Sequence, residues 1–472
     1  MNKKNGTPAM AALLTLLFLV CLNAAAVAQS ADEMASFKDT PASAPDASPD
    51  TVLPHFRDGR FWVSGQTNFI FQTHPGFDAK YTGANSLDPT YEKATSRVMT
   101  LYTGVQLNNS TEVLAHVEEA GGAGLSKALG LAGFSNLDVV RNPTLSSTPY
   151  LARVMVHKMF ALSKERTEGE RGPMSTFAEV PVRRLDVRVG KYGTADFFDQ
   201  NSVGSDSHMQ FMNWSTAQNG AYDYSADTRG YTWGAVVEYQ DRNWALRFSE
   251  SLMPKVANGM DEVWNLHKAH SENFEYELRR GFLPNKGGTI RLLGFVNHAN
   301  MGIYRDAVMA YLLGETKTPD ITAHPWQTTA KYGFGANLEQ PLTRNMTAFA
   351  RYGWNNGKTE SFAYTEIDST VSTGVGVSGN QWHRAKDRAG VAFSSNAISR
   401  DHQNYLADGG YGFIIGDGAL RYGRENILET YYTAHLWRGI FIAPDLQYVR
   451  NPAYNRDRGP VLIPGFRVHV EL

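Results

Sequence analysis

Apolar and polar residues alternate along most of this chain with a period of two. In RFWVSGQTNFIFQ (60–72), Phe61, Val63, Thr67, Phe69 and Phe71 fall on one face and Ser64, Gln66, Asn68 and Gln72 on the other. RVMTLYTGVQL (97–107) sets Met99, Leu101, Val105 and Leu107 against Thr100, Tyr102 and Gln106. RRLDVRVGKY (183–192) sets Leu185, Val187 and Val189 against Arg184, Asp186 and Arg188. Successive side chains of a strand point to opposite sides, so the pattern predicts strands with one apolar and one strongly polar face.

About sixteen such runs can be counted, an even number that suits a transmembrane antiparallel β-barrel. The connections sort the same way. The second (NNST), sixth (QDRN), eighth (LPNKG), tenth (PLTRN) and fourteenth (LWRG) are tight turns. Those at 73–95, 121–149, 194–228, 254–271, 300–327 and 398–420 are long. Short periplasmic turns and long extracellular loops are the asymmetry of outer-membrane barrels. The fourth connection, around 163–181, is longer than this scheme requires, and its segment SKERTEGERG reads as a disordered charged insert. PVLIPGFRVHVEL (460–472) is a final strand with Leu462, Phe466, Val468, Val470 and Leu472 on one face, and the chain stops on the apolar residue.

The N-terminus adds an address. Lys3 and Lys4 precede AALLTLLFLVCL, and Ala26 and Ala28 give the small-residue pattern of a secretory signal, predicting a signal peptide at 1–28 cut before Gln29. Acylation of Cys21 as a lipoprotein is opposed by Phe18, Leu19 and Val20, where small residues are required. Cys21 is the single cysteine, so the exported chain has no disulfide. Residues 29–55, rich in Ala, Ser, Pro and Asp, read as a flexible periplasmic spacer, and 56–472 as one barrel domain. Beyond the signal no apolar run reaches about 18 residues, which excludes helical spans but not barrel strands. A formal net charge of -2 gives nucleic acid no support as a partner.

Candidate chemistry concentrates in the third long loop. FMNWSTAQNGAYDYSADTRGYTWG (211–234) is polar and aromatic without period until Arg229, where alternation resumes. Carboxylates, amides and guanidinium groups hydrogen-bond paired hydroxyls, and aromatic rings cover the apolar face of a sugar. Asp196, Asp199, Asn213, Trp214, Asp223, Tyr224, Asp227 and Arg229 are the candidates, with Arg229 foremost because it sits where the loop re-enters the wall. The same acids and amides can instead tie the loop's own turns. Strand parity adds Glu118, Arg153, His157, Asp186, Arg188, Glu238, Arg247, Lys331 and Glu339 as lumen-facing charges, either part of the path or of a wall network.

GKYGTADFFDQN, FMNWSTAQNGAYDYSADTRGYTWGAVVEY and NPAYNRDRGPVLIPGFRVHVEL resemble the carbohydrate-selective porins of the OprB family. So do YTGANSL (81–87), EEAGGAGLSKALGLAGFSN (118–136), YLAR (150–153) and DHQNYLADGGYGFIIGDGALRYGRENILETYY (401–432). The resemblance implies a sixteen-stranded outer-membrane barrel of a Gram-negative-type bacterium, passive diffusion of mono- or oligosaccharides, an eyelet of Arg and Glu, and insertion by the barrel-assembly machinery through the last strand. Outer-membrane lipid is then a partner, and no cofactor is implied. Leu472, where the family usually ends in Phe, and QNSVGSDSHMQF before the Asn213–Trp214 pair depart from the family pattern, the latter in the expected constriction.

Other readings meet obstacles. GVGVSG (374–379) lacks a following helix, and GWNNGKT misses the phosphate-loop spacing. His267 and His270 lack a third metal ligand. A general porin, a secreted carbohydrate-binding protein and a glycoside hydrolase stay open as alternatives, as do monomer and trimer. Helical pieces are expected near 304–315 and 399–410, the latter capped by Ser399 and ended by Gly409.

Overall fold

Period-two patterning makes strands here, and the strands close on themselves. The computed structural model describes residues 51–53, 59–140, 147–283 and 287–472. The expected signal peptide, most of the spacer, the start of the barrel domain at 56–58 and the tip of the LPNKG turn lie outside the described residues. In chain order the strands are β1 (Phe61–His74), β2 (Glu92–Asn108), β3 (Thr111–Gly122), β4 (Tyr150–Ala161), β5 (Arg166–Glu168), β6 (Glu179–Pro181), β7 (Arg184–Tyr192), β8 (Thr232–Gln240) and β9 (Trp244–Ser251). They continue with β10 (His270–Leu278), β11 (Thr289–Ala299), β12 (Thr329–Thr343), β13 (Met346–Asn355), β14 (Ser369–Ser378), β15 (Arg388–Ala397), β16 (Glu425–Trp437), β17 (Ile440–Arg450) and β18 (Val461–Glu471).

All but β5 and β6 form one closed antiparallel barrel of sixteen strands, with β4 paired to β7 and β1 to β18. Closure leaves no unpaired edge. The C-terminal residue takes part: Leu472 N–H donates to Gly65 O at 2.7 Å, and Gly65 N–H returns to Leu472 O at 3.1 Å. Leu in place of Phe therefore keeps the last rung of the ladder.

The two faces separate as the alternation requires. Phe69, Leu101, Val189, Phe393 and Leu428 are exposed on the outside, while Gln66, Asn68, Thr100, Asn337, Arg351 and Gln447 are buried inside. Tyr239 and Trp244 pair at the short-turn end (4.9 Å between rings) and Tyr332 and Trp354 (6.2 Å) on the outer wall toward the opposite end. Such rings belong at membrane interfaces. Glu118, His157, Asp186, Glu238, Arg247 and Lys331 are buried on the inner face. Arg153, Arg188 and Glu339 ion-pair with groups inside the barrel.

Two local features shape the interior beyond simple parity. The β3–β4 register shifts between His116↔Arg153 and Val117↔Leu151, leaving Ala152 as an extra residue. This bulge keeps Arg153 inward and also turns Tyr150 inward and Leu151 outward, the re-aiming that bulges provide. The second feature corrects an expectation. The connection between β4 and β7 is not a disordered insert: β5 and β6 pair as a small hairpin, and the segment between them enters the barrel. Thr176 donates from N–H and Oγ1 to Glu112 (2.6 Å each), Phe177 is buried against the His157 ring, and Pro173 O meets His116 Nε2 at 3.0 Å. The charged residues Lys164, Glu165, Arg166, Glu168 and Glu170 stay exposed, while the neutral Pro173, Thr176 and Phe177 meet the polar inner wall.

The expected loop helices form at Tyr304–Leu312 and Arg400–Ala407. Ser399 accepts from His402 N–H, and Gly409 has φ +91°. GVGVSG runs along β14 into a short 3-10 turn at Gly379–Trp382, a barrel strand rather than a nucleotide loop.

If the outer face meets hydrocarbon, a charge in mid-strand is costly. Phe393→Arg should lower the unfolding free energy by about 2–4 kcal/mol near the membrane midplane, read as a shift in urea-dependent gel mobility of the folded barrel.

Candidate functional site

The connection from β7 to β8, residues 193–231, crosses the lumen and is held by side chains of the facing wall. Glu429 of β16 accepts from Met212 N–H (2.6 Å) and Asn213 N–H (3.2 Å). Arg467 of β18 donates to Ser207 O (2.6 Å) and Gln210 O (2.9 Å), and Arg351 of β13 to Thr216 O (2.9 Å). An irregular segment leaves its backbone groups unpaired, and inside a barrel the inward-pointing side chains can satisfy them.

Several predicted site residues serve this anchoring. Asp199 meets Arg351 Nε at 3.0 Å and accepts from Asn219 N–H (2.9 Å) and Asn337 Nδ2 (3.0 Å). Asn213 caps the short helix Trp214–Ala217 by accepting from Ser215 N–H (3.0 Å), and its Nδ2 donates to Gln447 and to Gly133 O. Asp223 accepts from the N–H groups of Phe362, Ala363 and Tyr364 (2.9, 2.9 and 3.2 Å). All three bond the loop's own backbone or the segments that anchor it.

Trp214, Tyr224, Asp227, Arg229, Glu118 and Arg153 surround a cavity of about 200 Å³ on the long-loop side. Trp214, Tyr364 and Tyr224 stack in a column, with centroids 5.5 and 4.5 Å apart and rings inclined by 13° and 27°. Asp223 therefore acts at one remove, by positioning the segment that carries Tyr364. Beside the column runs a polar chain. The Arg229 guanidinium lies 3.8 Å from the Tyr150 ring centroid, and the Tyr150 and Tyr231 hydroxyls donate to Glu118 at 2.5 and 3.0 Å. Arg153 sits 5.0 Å from the Tyr231 ring and holds Asp196 by two bonds of 2.7 and 2.6 Å. Asp227 accepts from Arg229 N–H (2.9 Å), which shapes the turn that presents Arg229.

Residues 84–472 match the family described as "Carbohydrate-selective porin, OprB family". The chain belongs to that family. Its barrel resembles the high-pH structure of Pseudomonas putida OprB, with a TM-score of 0.63 at 14% identity over 88% of this chain and 94% of that one. It is also similar to "Porin AaxA" of Chlamydia abortus (strain DSM 27085 / S26/3), 21% identical over 296 residues, or 62% of this chain and 56% of that protein. The family consists of channel proteins rather than enzymes, and its barrel architecture is that of outer-membrane porins.

In this porin a second cavity, of about 680 Å³, opens on the short-turn side. Asp186, Arg188, Asp196 and Arg247 line it. Asp186 is bonded by His157 Nε2 (2.9 Å) and Arg184 Nε (2.8 Å), and Arg188 pairs with Glu238 at 3.5 Å. Arg247 meets Glu238, Glu275 and Glu277 at 3.1, 2.8 and 2.9 Å. Arg153 borders the first cavity and Asp196 the second, so their ion pair stands between the two.

Sequence reasoning passed over Tyr150, Tyr231 and Tyr364. Tyr231 is the last residue of the loop before β8, two positions after Arg229, and could have been found by extending the loop. Tyr150 depends on the bulge, and Tyr364 on a contact across some 140 residues, so neither carries a local signal. His270 lies against His298, with ring centroids 4.7 Å apart and the rings tilted by 31°. Among the described residues no group of three His, Cys, Asp or Glu could hold a metal.

Removing one partner of a buried ion pair strands the other. Asp199→Ala should cost about 3–5 kcal/mol, seen as a lower temperature for loss of heat-modifiable gel mobility. Glu262, in the 252–269 connection, has both carboxyl oxygens buried without a hydrogen-bond partner. Burial, and then the charge of Asp227, push its carboxyl from 4.5 up to about 8. The folded state thus keeps a proton that the unfolded chain releases, so stability falls as pH rises through that window and levels off above it. Glu262→Gln should flatten this slope in melting temperatures measured from about pH 5 to 9.

Proposed function

We propose that this porin lets mono- or oligosaccharides diffuse passively across the outer membrane, along a path linking the two cavities past Arg153 and Asp196. The observation that carries the reading is the Trp214–Tyr364–Tyr224 column sharing one cavity with Arg229, Glu118 and Asp227. Stacked rings offer an apolar surface to a pyranose face, while carboxylate and guanidinium groups bond its paired hydroxyls. Neighbouring charges of opposite sign at Arg153–Asp196 and Arg247–Glu277 orient hydroxyls and water without favouring one sign of ion. Contacts of this kind are weak and multiple, which passage requires: binding must let solute leave.

On this reading the long loops face outward, the short turns and the β5–β6 hairpin face the periplasm, and no catalytic role falls to any lumen residue. Export by the N-terminal signal and insertion through β18 complete the route to the membrane.

Swelling of liposomes containing the mature protein tests the reading, comparing sugars with amino acids and salts of similar size. Sugars should enter faster. Arg229→Ala should change the sugar rate about 2- to 5-fold, as loss of a contact of about 0.5–1 kcal/mol would, while salt entry changes less. Permeation set by size alone, and unaltered in the variant, would assign a general porin; cleaved sugar in the medium would assign a hydrolase.

A further inference from the structure

The outer surface of β16 and β17 changes chemistry toward the long-loop rim. Along β17 the outward positions run Leu446, Tyr448, Arg450. On β16, Leu428 is followed toward the rim by Asn426, with Arg424 just beyond the strand. Apolar, then aromatic or amide, then cationic is the order that a hydrocarbon core, its interface and its head groups demand.

At this rim, between the two strands and the 451–460 connection, lies a cleft of about 590 Å³ lined by Arg424, Arg450, Arg456 and Arg458, with no carboxylate among its lining residues. Arg458 is the buried floor, paired with Asp417 at 3.4 Å. Among the described residues Arg424, Arg450 and Arg456 form no ion pair. The acid of the adjoining segment is engaged elsewhere, Asp457 meeting Lys80 at 2.6 Å and Arg421 at 3.5 Å.

Arg424 is also held in place. Arg424 Nε donates to Ser395 Oγ at 2.8 Å and its Nη2 to Ser395 O at 2.6 Å. Asn451 Nδ2 bonds Arg424 O at 2.9 Å. A Cβ on Gly423 would come within 2.7 Å of Arg456 Nε, so glycine there leaves room for that side chain. Arg424, Arg450 and Arg456 line one cleft without a carboxylate, an arrangement that an anion would complement.

We propose that this cleft binds the phosphate of an outer-leaflet glycolipid head group. Guanidinium forks bind phosphate oxygens in pairs, and a phosphate monoester carries about 1.5 to 2 negative charges at neutral pH. The lipid is favoured over free phosphate because the cleft opens directly above Leu446, Tyr448 and Leu428, where acyl chains lie. The proposal is independent of what passes through the lumen.

The test uses full-length mature porin in non-ionic detergent, with lipid retention read by native mass spectrometry. The probes are diphosphorylated lipid A, enzymatically dephosphorylated lipid A, and inorganic phosphate as competitor. Dephosphorylation, and separately the pair Arg450→Ala/Arg456→Ala, should each weaken retention about tenfold or more, with liposome swelling rates unchanged. Arg450→Lys/Arg456→Lys, which keeps charge but loses the fork, should fall between. Equal retention of the dephosphorylated lipid, or by the alanine pair, overturns the proposal. Displacement by inorganic phosphate at the lipid's own concentration also overturns it, in favour of a free-anion site. Should the alanine pair not fold, as judged by heat-modifiable mobility, the lysine pair and the dephosphorylated lipid decide.

Discussion

A strand in hydrocarbon has no water to satisfy its peptide groups, so each must bond a neighbouring strand on both sides. That constraint closes the sheet, and closure brings β1 against β18 with Leu472 bonded to Gly65. It also dictates composition. Every second residue must be apolar toward lipid, and the intervening residues are free to be polar because they face an enclosed interior. A chain with formal net charge -2 and nineteen per cent charged residues can therefore span a membrane.

The polar inner wall in turn permits irregular chain inside the barrel. Residues 193–231 and the segment around Phe177 would be poor occupants of an apolar core, yet here Glu429, Arg467, Arg351 and Glu112 meet their exposed amides and carbonyls. The loop's own residues thus divide between two jobs. Asp199, Asn213 and Asp223 hold the loop, whereas Trp214, Tyr224 and Arg229 border the cavity the loop leaves. The division follows placement: Asp199, Asn213 and Asp223 turn back on backbone N–H groups away from the cavity, while the stacked rings border it.

Charge is arranged differently on the two surfaces. Inside, most cations have acids at bonding distance, as with Arg153–Asp196 and the Arg247 cluster, because an unpaired charge in a confined lumen is costly. Outside, at the rim of β16 and β17, Arg424, Arg450 and Arg456 line a cleft without a carboxylate, a pattern suited to an environment rich in anions.

The sequence by itself determined the barrel, a strand number of about sixteen, the alternation of faces, the short and long ends and the charges pointing inward. All of these follow from a period of two and the placing of turn residues, which are local properties. The tertiary structure decided where the third loop anchors, which of its acids are spent on backbone, and that Tyr364 completes the aromatic column. It also decided that a bulge at Ala152 brings Tyr150 inward and that the charged 163–181 segment is ordered. Each depends on which side chains meet across the lumen, and residues as distant as Asp223 and Tyr364, or Asn213 and Gln447, become neighbours only after the sheet has closed.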